Sequence, residues 1–119
     1  MARCLARNVS VIVGAPFASG ILATGSGPRA TYAYSIASPE IQKKVAAIEA
    51  VCAAHHVSLP AAALQFPLAH PAVISVIAGA VRASEATANA AHVQEPIPAD
   101  FWSDLKSKRL IDPEAPTPG

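Results

Sequence analysis

Aromatic and charged residues are both scarce in this sequence. Phe, Trp and Tyr together make up 5%, and Asp, Glu, Lys and Arg 14%, of 119 residues. Charge repulsion therefore cannot keep the chain disordered, because hydrophobic residues reach 52% and can bury apolar surface. The lack of aromatics sets a different limit. Much of the apolar share is alanine, which favours helix but buries little area per residue, so a thin core is expected. No basic block exists and net charge is only +1, which excludes nucleic acid and an anionic membrane as expected partners. Cysteine is equally sparse. Cys4 and Cys52 form no CxxC or metal-ligand spacing, which points to unpaired thiols in a reducing compartment and to a cytoplasmic location. No apolar run approaches the roughly 20 residues of a membrane span. No internal repeat is present either.

What remains is one domain at most, able to bury roughly 65% of its unfolded surface. Arg3 and Arg7 ahead of the uncharged residues 9–25 have the outline of a signal peptide. Gly14, Pro16 and Gly20 interrupt that stretch, and its apolar core is confined to residues 9–13, so it reads better as structure. Val9-Ser10-Val11-Ile12-Val13 is short and β-branched, the pattern of a strand buried on both faces in a parallel sheet. A Gly/Pro-punctuated turn follows at residues 14–20. A flexible stretch, Thr24-Gly25-Ser26-Gly27-Pro28, then runs into Tyr32 and Tyr34.

Ser38-Pro39-Glu40 predicts a helix start, with serine capping, proline in the first turn and an acid against the positive end of the dipole. Ile41, Val45, Ile48 and Cys52 form its apolar stripe, and His55-His56 mark its end as capping residues rather than metal ligands. Ser58 caps a second, alanine-rich helix over residues 60–69, which Pro67 must kink or end. A second buried strand is expected over residues 73–77. Ser84 opens a third helix to about His92, and residues 98–108 form an amphipathic helix with Phe101, Trp102 and Leu105 inward. His70 and His92 have no partner at ligand spacing. The proline-rich tail, residues 112–119, is expected to be disordered.

Strands alternating with helices predict a parallel α/β architecture. Two strands close no barrel and make no satisfactory sheet, so the missing strands are expected upstream. Ligands in such folds bind at the carboxyl ends of strands, where two glycine loops fall: residues 14–20 and residues 77–82. The second, with Gly79 and Arg82 ahead of a helix, suits an anion.

The residues themselves carry a family resemblance. Val9 to Leu22 resembles the seventh strand and following loop of aldo-keto reductases, in the branch that includes L-fucose, D-threo-aldose and pyridoxal dehydrogenases. The run Ala61-Ala62-Ala63-Leu64-Gln65-Phe66-Pro67-Leu68-Ala69-His70-Pro71 resembles the helix before that branch's eighth strand, and residues 76–89 resemble the strand and its cofactor-binding turn. The resemblance implies the C-terminal part of a TIM (β/α)8 barrel: about the last two βα units plus a C-terminal helix, over residues 1–111. It implies hydride transfer between NAD or NADP and a small carbonyl or sugar substrate. Gly14, Pro16, Phe17, Ser19 and Gly20 would lie along the pyrophosphate, Gly79 and Arg82 near the adenosine phosphate, and Glu85 and Asn89 near the adenine.

Three departures accompany it. Gly14 stands where the family has a tyrosine beneath the nicotinamide, Ala78 where it has a proline, and Thr87 where an arginine often holds a 2′-phosphate. The last leaves NAD against NADP open. The tetrad of Asp, Tyr, Lys and His lies on the family's first four strands, so no catalytic residue is assigned here. Tyr32 and Tyr34 either shape substrate specificity or anchor their loop, and Trp102 is read as the cover of a barrel end. The sequence thus predicts an oxidoreductase fragment that is inactive alone. The alternatives are a non-catalytic assembly partner, self-associating through exposed sheet edges, and a small exported protein.

Overall fold

The computed structural model describes residues 1–27, 30–32 and 35–118. Tyr34 and Pro28 lie outside the described residues, as does Gly119 at the end of the tail. The chain runs α1 (Ala2–Ala6), β1 (Val11–Gly14), a 3-10 turn (Ala18–Gly20), α2 (Ile21–Thr24), β2 (Thr31–Tyr32), β3 (Ser35–Ile36), α3 (Pro39–His55), α4 (Leu59–Leu68), β4 (Val73–Ile77), α5 (Ala83–Gln94) and α6 (Ala99–Ser107). Two features are additional to the sequence reading. One is the short helix α1; the other is the β2–β3 hairpin, antiparallel in register Thr31 to Ile36 and Tyr32 to Ser35.

β1 and β4 pair in parallel, with Ile12 opposite Ser75, Val13 opposite Val76 and Gly14 opposite Ile77. An irregularity between Val11 and Ile12 shifts the register. The strands were expected to be buried on both faces, and here the structure corrects the sequence. Ile12, Ile74 and Ile77 are 57%, 65% and 60% exposed, and of β4 only Val73 is buried. A buried parallel strand needs neighbours on both edges and cover on both faces, and this sheet has two strands.

The core lies among the helices instead. α3 starts as its sequence dictates: the Ser38 hydroxyl accepts from the Ile41 amide at 3.4 Å, and Pro39 occupies the first turn. Its amino-terminal half contributes Val45 to a cluster with Ile21, Ala30 and Ala37, against which Ile41 packs. Its carboxyl-terminal half contributes Val51 and Cys52 to a second cluster with Val57, Ala62, Phe101, Trp102 and Leu105. α4 is capped by Ser58, which accepts from the Ala61 amide at 3.3 Å, and ends one residue beyond Pro67. α6 is inward through Phe101, Trp102 and Leu105, as its spacing predicts. Phe101 and Trp102 meet edge to face at 4.9 Å, and Phe66 stacks on Trp102 at 6.0 Å, so three of the six aromatics form one contact set. The buried Trp102 Nε1 has no acceptor among the described residues. Burial pushes the Cys52 thiol up to about 11, with the Glu49 and Glu95 carboxylates adding to it. No single helix among the described residues is long and apolar enough to cross a membrane.

The histidine pair divides its work. His56, not His55, ends α3, in the left-handed conformation at φ +55°. The Val57 amide returns to the Cys52 carbonyl at 2.9 Å, closing a Schellman turn. His55 instead reaches α6, where its Nε2 lies 3.2 Å from Asp104 Oδ2. Arg109 repeats the His56 arrangement after α6 at φ +56°, with the Leu110 amide on the Leu105 carbonyl at 2.9 Å. α5 begins at Ala83 with Arg82 as its cap residue and no capping side chain, so Ser84 is inside the helix rather than at its start.

Two predictions follow from these helix ends. Left-handed backbone costs a side chain about 1–2 kcal/mol. His56→Gly and Arg109→Gly are expected to raise unfolding free energy by roughly 0.5–1 kcal/mol each, after the extra unfolded-state freedom of glycine, read from denaturant midpoints. The His55 hydrogen bond, with Lys108 assisting, holds the Asp104 carboxyl below its ordinary range. That contribution is complete above the unfolded carboxylate pKa and is lost as pH falls through the depressed folded value. Melting curves of wild type and Asp104→Asn are therefore expected to differ by a constant amount from pH 7 down to about pH 4 and to converge below it.

Candidate functional site

The parallel pairing decides where chemistry can gather. Because Gly14 is opposite Ile77, the loop after β1 and the loop after β4 leave the same sheet end side by side. This is the end at which α/β folds place ligands.

The first loop is tightly wound. Ala15 and Ala18 take φ +51° and +50°, and Gly20, capping α2, takes φ +112°. Left-handed alanines store strain, which concentrates at functional segments. The Ala18 amide bonds to the Ala15 carbonyl at 3.1 Å, and the Gly20 and Leu22 amides to that of Phe17 at 3.0 and 3.1 Å. Pro16 is buried and Phe17 half-buried, so both prop the loop from beneath. The Ser19 side chain lies outside what the structure describes. Gly14 faces open space where a side chain would stand.

The second loop is held by the helix it precedes. The Glu85 carboxylate accepts from the Val81 amide at 2.8 Å, and the Asn89 amide donates to the Gly79 carbonyl at 3.4 Å. Gly79 has open space at its Cβ position, and Arg82 is exposed with no ion pair among the described residues. Of the predicted residues, then, Gly14, Gly79 and Arg82 are free to meet a ligand. Glu85 and Asn89 are engaged in shaping the loop.

Two polar assemblies elsewhere in the fold were not anticipated. Beyond α2, the Glu49 carboxylate accepts from the Ser26 amide at 3.1 Å and from its hydroxyl at 2.7 Å. Gln42 accepts from the Gly27 amide at 2.8 Å and donates to the Gly27 carbonyl at 2.5 Å. Gln42 and Glu49 are two helical turns apart on α3, a spacing that puts them on one face, and that spacing was visible in the sequence. The second assembly joins Ser58, Gln65, His92 and Glu95. Ser58 was legible as a cap, but its partner across the fold was not. His70 serves the start of β4, its Nδ1 accepting from the Ala72 amide at 3.1 Å. Tyr32 is 43% exposed beside the first loop. No group of three or more His, Cys, Asp or Glu side chains could hold a metal ion among the described residues.

A parallel strand pair joined through helices, with a glycine loop after each strand at its carboxyl end, defines a piece of an α/β fold. Comparison with known proteins makes this specific. The aldo/keto reductase family model matches residues 1–110. The chain is 37% identical over 116 residues to D-threo-aldose 1-dehydrogenase of Pseudomonas sp, covering 97% of this chain and 34% of that protein. It is 35% identical over 105 residues to pyridoxal 4-dehydrogenase of Microbacterium luteolum, covering 88% of this chain and 31% of that one. The chain belongs to the aldo/keto reductase family. It spans about a third of the length of these relatives.

The Glu49 latch carries a prediction. Gly25 has φ +89° and ψ −178°, a region open only to glycine, and a Cβ there would overlap the Glu49 carboxylate. Gly25→Ala is expected to lose about 1–3 kcal/mol or more from the conformation alone. Gly20→Ala, whose Cβ would meet Thr31 at an ordinary 3.5 Å, should lose less in the same denaturation series.

Proposed function

We propose that this chain carries the pyrophosphate and adenosine-phosphate contacts of an NAD(P)-dependent oxidoreductase acting on a small sugar, aldehyde or alcohol. The observation that supports this most is the pairing of Gly14 with Ile77, which brings the Gly14 and Gly79 loops to one sheet end. Both glycines are open at their Cβ positions, and Arg82 is without an ion pair among the described residues. A glycine pair lets backbone amides approach a diphosphate closely, and a guanidinium adds a planar, charge-assisted donor. Gly14, Ser19 and Gly20 would form the pyrophosphate side on the support of Pro16 and Phe17, and Gly79 and Arg82 the adenosine side, in a loop that Glu85 and Asn89 hold in shape. The dinucleotide, when bound, supplies the hydride acceptor or donor. The chain's own residues bind and orient it.

Catalysis is a different matter. None of the tetrad that the family resemblance assigns to other strands stands on β1 or β4. The chain by itself is therefore inactive, and the sheet that the relatives' remaining length would extend is left with free edges. Exposed Ile12, Ile74 and Ile77 favour self-association through those edges when nothing else covers them. The radius of gyration, 14.3 Å, exceeds the roughly 13.5 Å of a compact chain of this length. The free thiols Cys4 and Cys52 suit a reducing, cytoplasmic setting.

Titration calorimetry with NAD and with NADP tests the reading. Binding of at least one dinucleotide is expected, weakened about tenfold by Arg82→Ala, the usual worth of one charge-assisted contact, and with no turnover of sugar or aldehyde substrates. Absence of binding to the folded chain would sink the proposal.

A further inference from the structure

α5 is attached to the molecule in an unusual way. It buries no side chain, although it is the helix next to the proposed phosphate loop. It leans on α4, while between it and β4 runs an open groove of about 420 Å³ lined by Leu64, Leu68, Ile74, Val76 and Val93. Apolar burial therefore does little to fix its place. What does fix it is polar and lies at its far end. The Gln65 amide nitrogen, on α4, donates to the His92 carbonyl at 2.9 Å and to the Glu95 carbonyl at 2.7 Å. These belong to the last turn of α5 and the residue after it, where helix carbonyls lack their usual partners, and the His92 carbonyl also accepts from the Glu95 amide at 3.2 Å. In return, the Glu95 carboxylate accepts from the Ser58 amide and hydroxyl, both at 2.9 Å. That places a negative group at the positive end of α4. His92 Nδ1 adds a contact to the same hydroxyl at 3.3 Å.

We infer that Gln65, with Ser58 and Glu95, positions the ligand loop at residues 79–82 by clasping the opposite end of α5. The loop travels with this helix, since Glu85 and Asn89, the side chains that hold it, both belong to α5. Twelve residues make a lever about 18 Å long, so a 10° swing at the clasp moves Arg82 by roughly 3 Å, enough to break a phosphate contact. Gln65 touches no ligand. It acts through α5, and this deepens the proposed dinucleotide site rather than adding another.

The test uses the full chain and two near-isosteric changes. Gln65→Glu removes both donors and sets a carboxylate against two carbonyl oxygens, whereas Gln65→Lys restores a donor that the negative end of α5 favours. Hydrogen exchange is read by mass spectrometry over each helix, and NAD or NADP affinity by calorimetry. Gln65→Glu is expected to speed exchange through α5 and at Val81 about tenfold, with α3 and α6 unchanged, and Gln65→Lys to return it to the wild-type rate. Dinucleotide affinity should fall and recover in the same order. Unchanged α5 exchange in Gln65→Glu overturns the inference. So does a loss of protection spread equally over α3 and α6, and Glu95→Ala serves as the second variant should the first not fold. A wild-type chain that takes up neither dinucleotide would remove the cofactor reading alone, while the exchange rates still decide whether the clasp holds the loop.

Discussion

Everything in this structure hangs on the parallel register that sets Gly14 against Ile77. A parallel pair cannot be closed by a turn, so the whole intervening chain must travel back along one flank before β4 can form. That return path is α2, the β2–β3 hairpin, α3 and α4, and the core lies between it and α6, which packs Phe101, Trp102 and Leu105 against it. The sheet gains its register from the helices more than from its own burial. In exchange it delivers two loops, about 60 residues apart in the chain, to one end of the sheet.

An alanine-rich sequence has few large side chains with which to build such a path, and the molecule answers in two ways. Three of its six aromatics, Phe66, Phe101 and Trp102, form one contact set against α3. Where no large residue is available, carboxylates and carboxamides hold segments in place: Glu49 and Gln42 on residues 26 and 27, Gln65 and Glu95 across α4 and α5, Asp104 between α3 and α6. Contacts of this kind are directional. They fix angles and loop shapes that a thin apolar layer would leave loose, at a modest net gain each.

Local signals carried most of the secondary structure into view. Ser38-Pro39-Glu40 and Ser58 each start a helix where their chemistry demands, and Phe101, Trp102 and Leu105 point inward at helical spacing. The β-branched runs are strands, with β1 starting two residues later and ending one residue later than expected. Their burial was misjudged because composition reports what a strand could bury, not which neighbours are there to cover it. Arg82 replaces Ser84 as the α5 cap residue because Glu85, folding back to Val81, makes a serine cap unnecessary. The loop glycines and Arg82 were legible as residues of the loops that follow the two strands. Gln65 and Glu95 were not legible in this way, since a clasp between helices leaves no periodic trace in either one.

The buried thiol has a practical side. With Cys52 pushed up to about 11, only about one molecule in ten thousand carries its thiolate at neutral pH, and protein surrounds it besides. Cys4, on the exposed α1, is the sulfur a reagent can reach. Nature has thus left a single chemical address on this chain, at the opposite end of β1 from the glycine loop. A fluorophore attached there would report on the strand edges and whatever comes to cover them without disturbing the residues that meet the ligand.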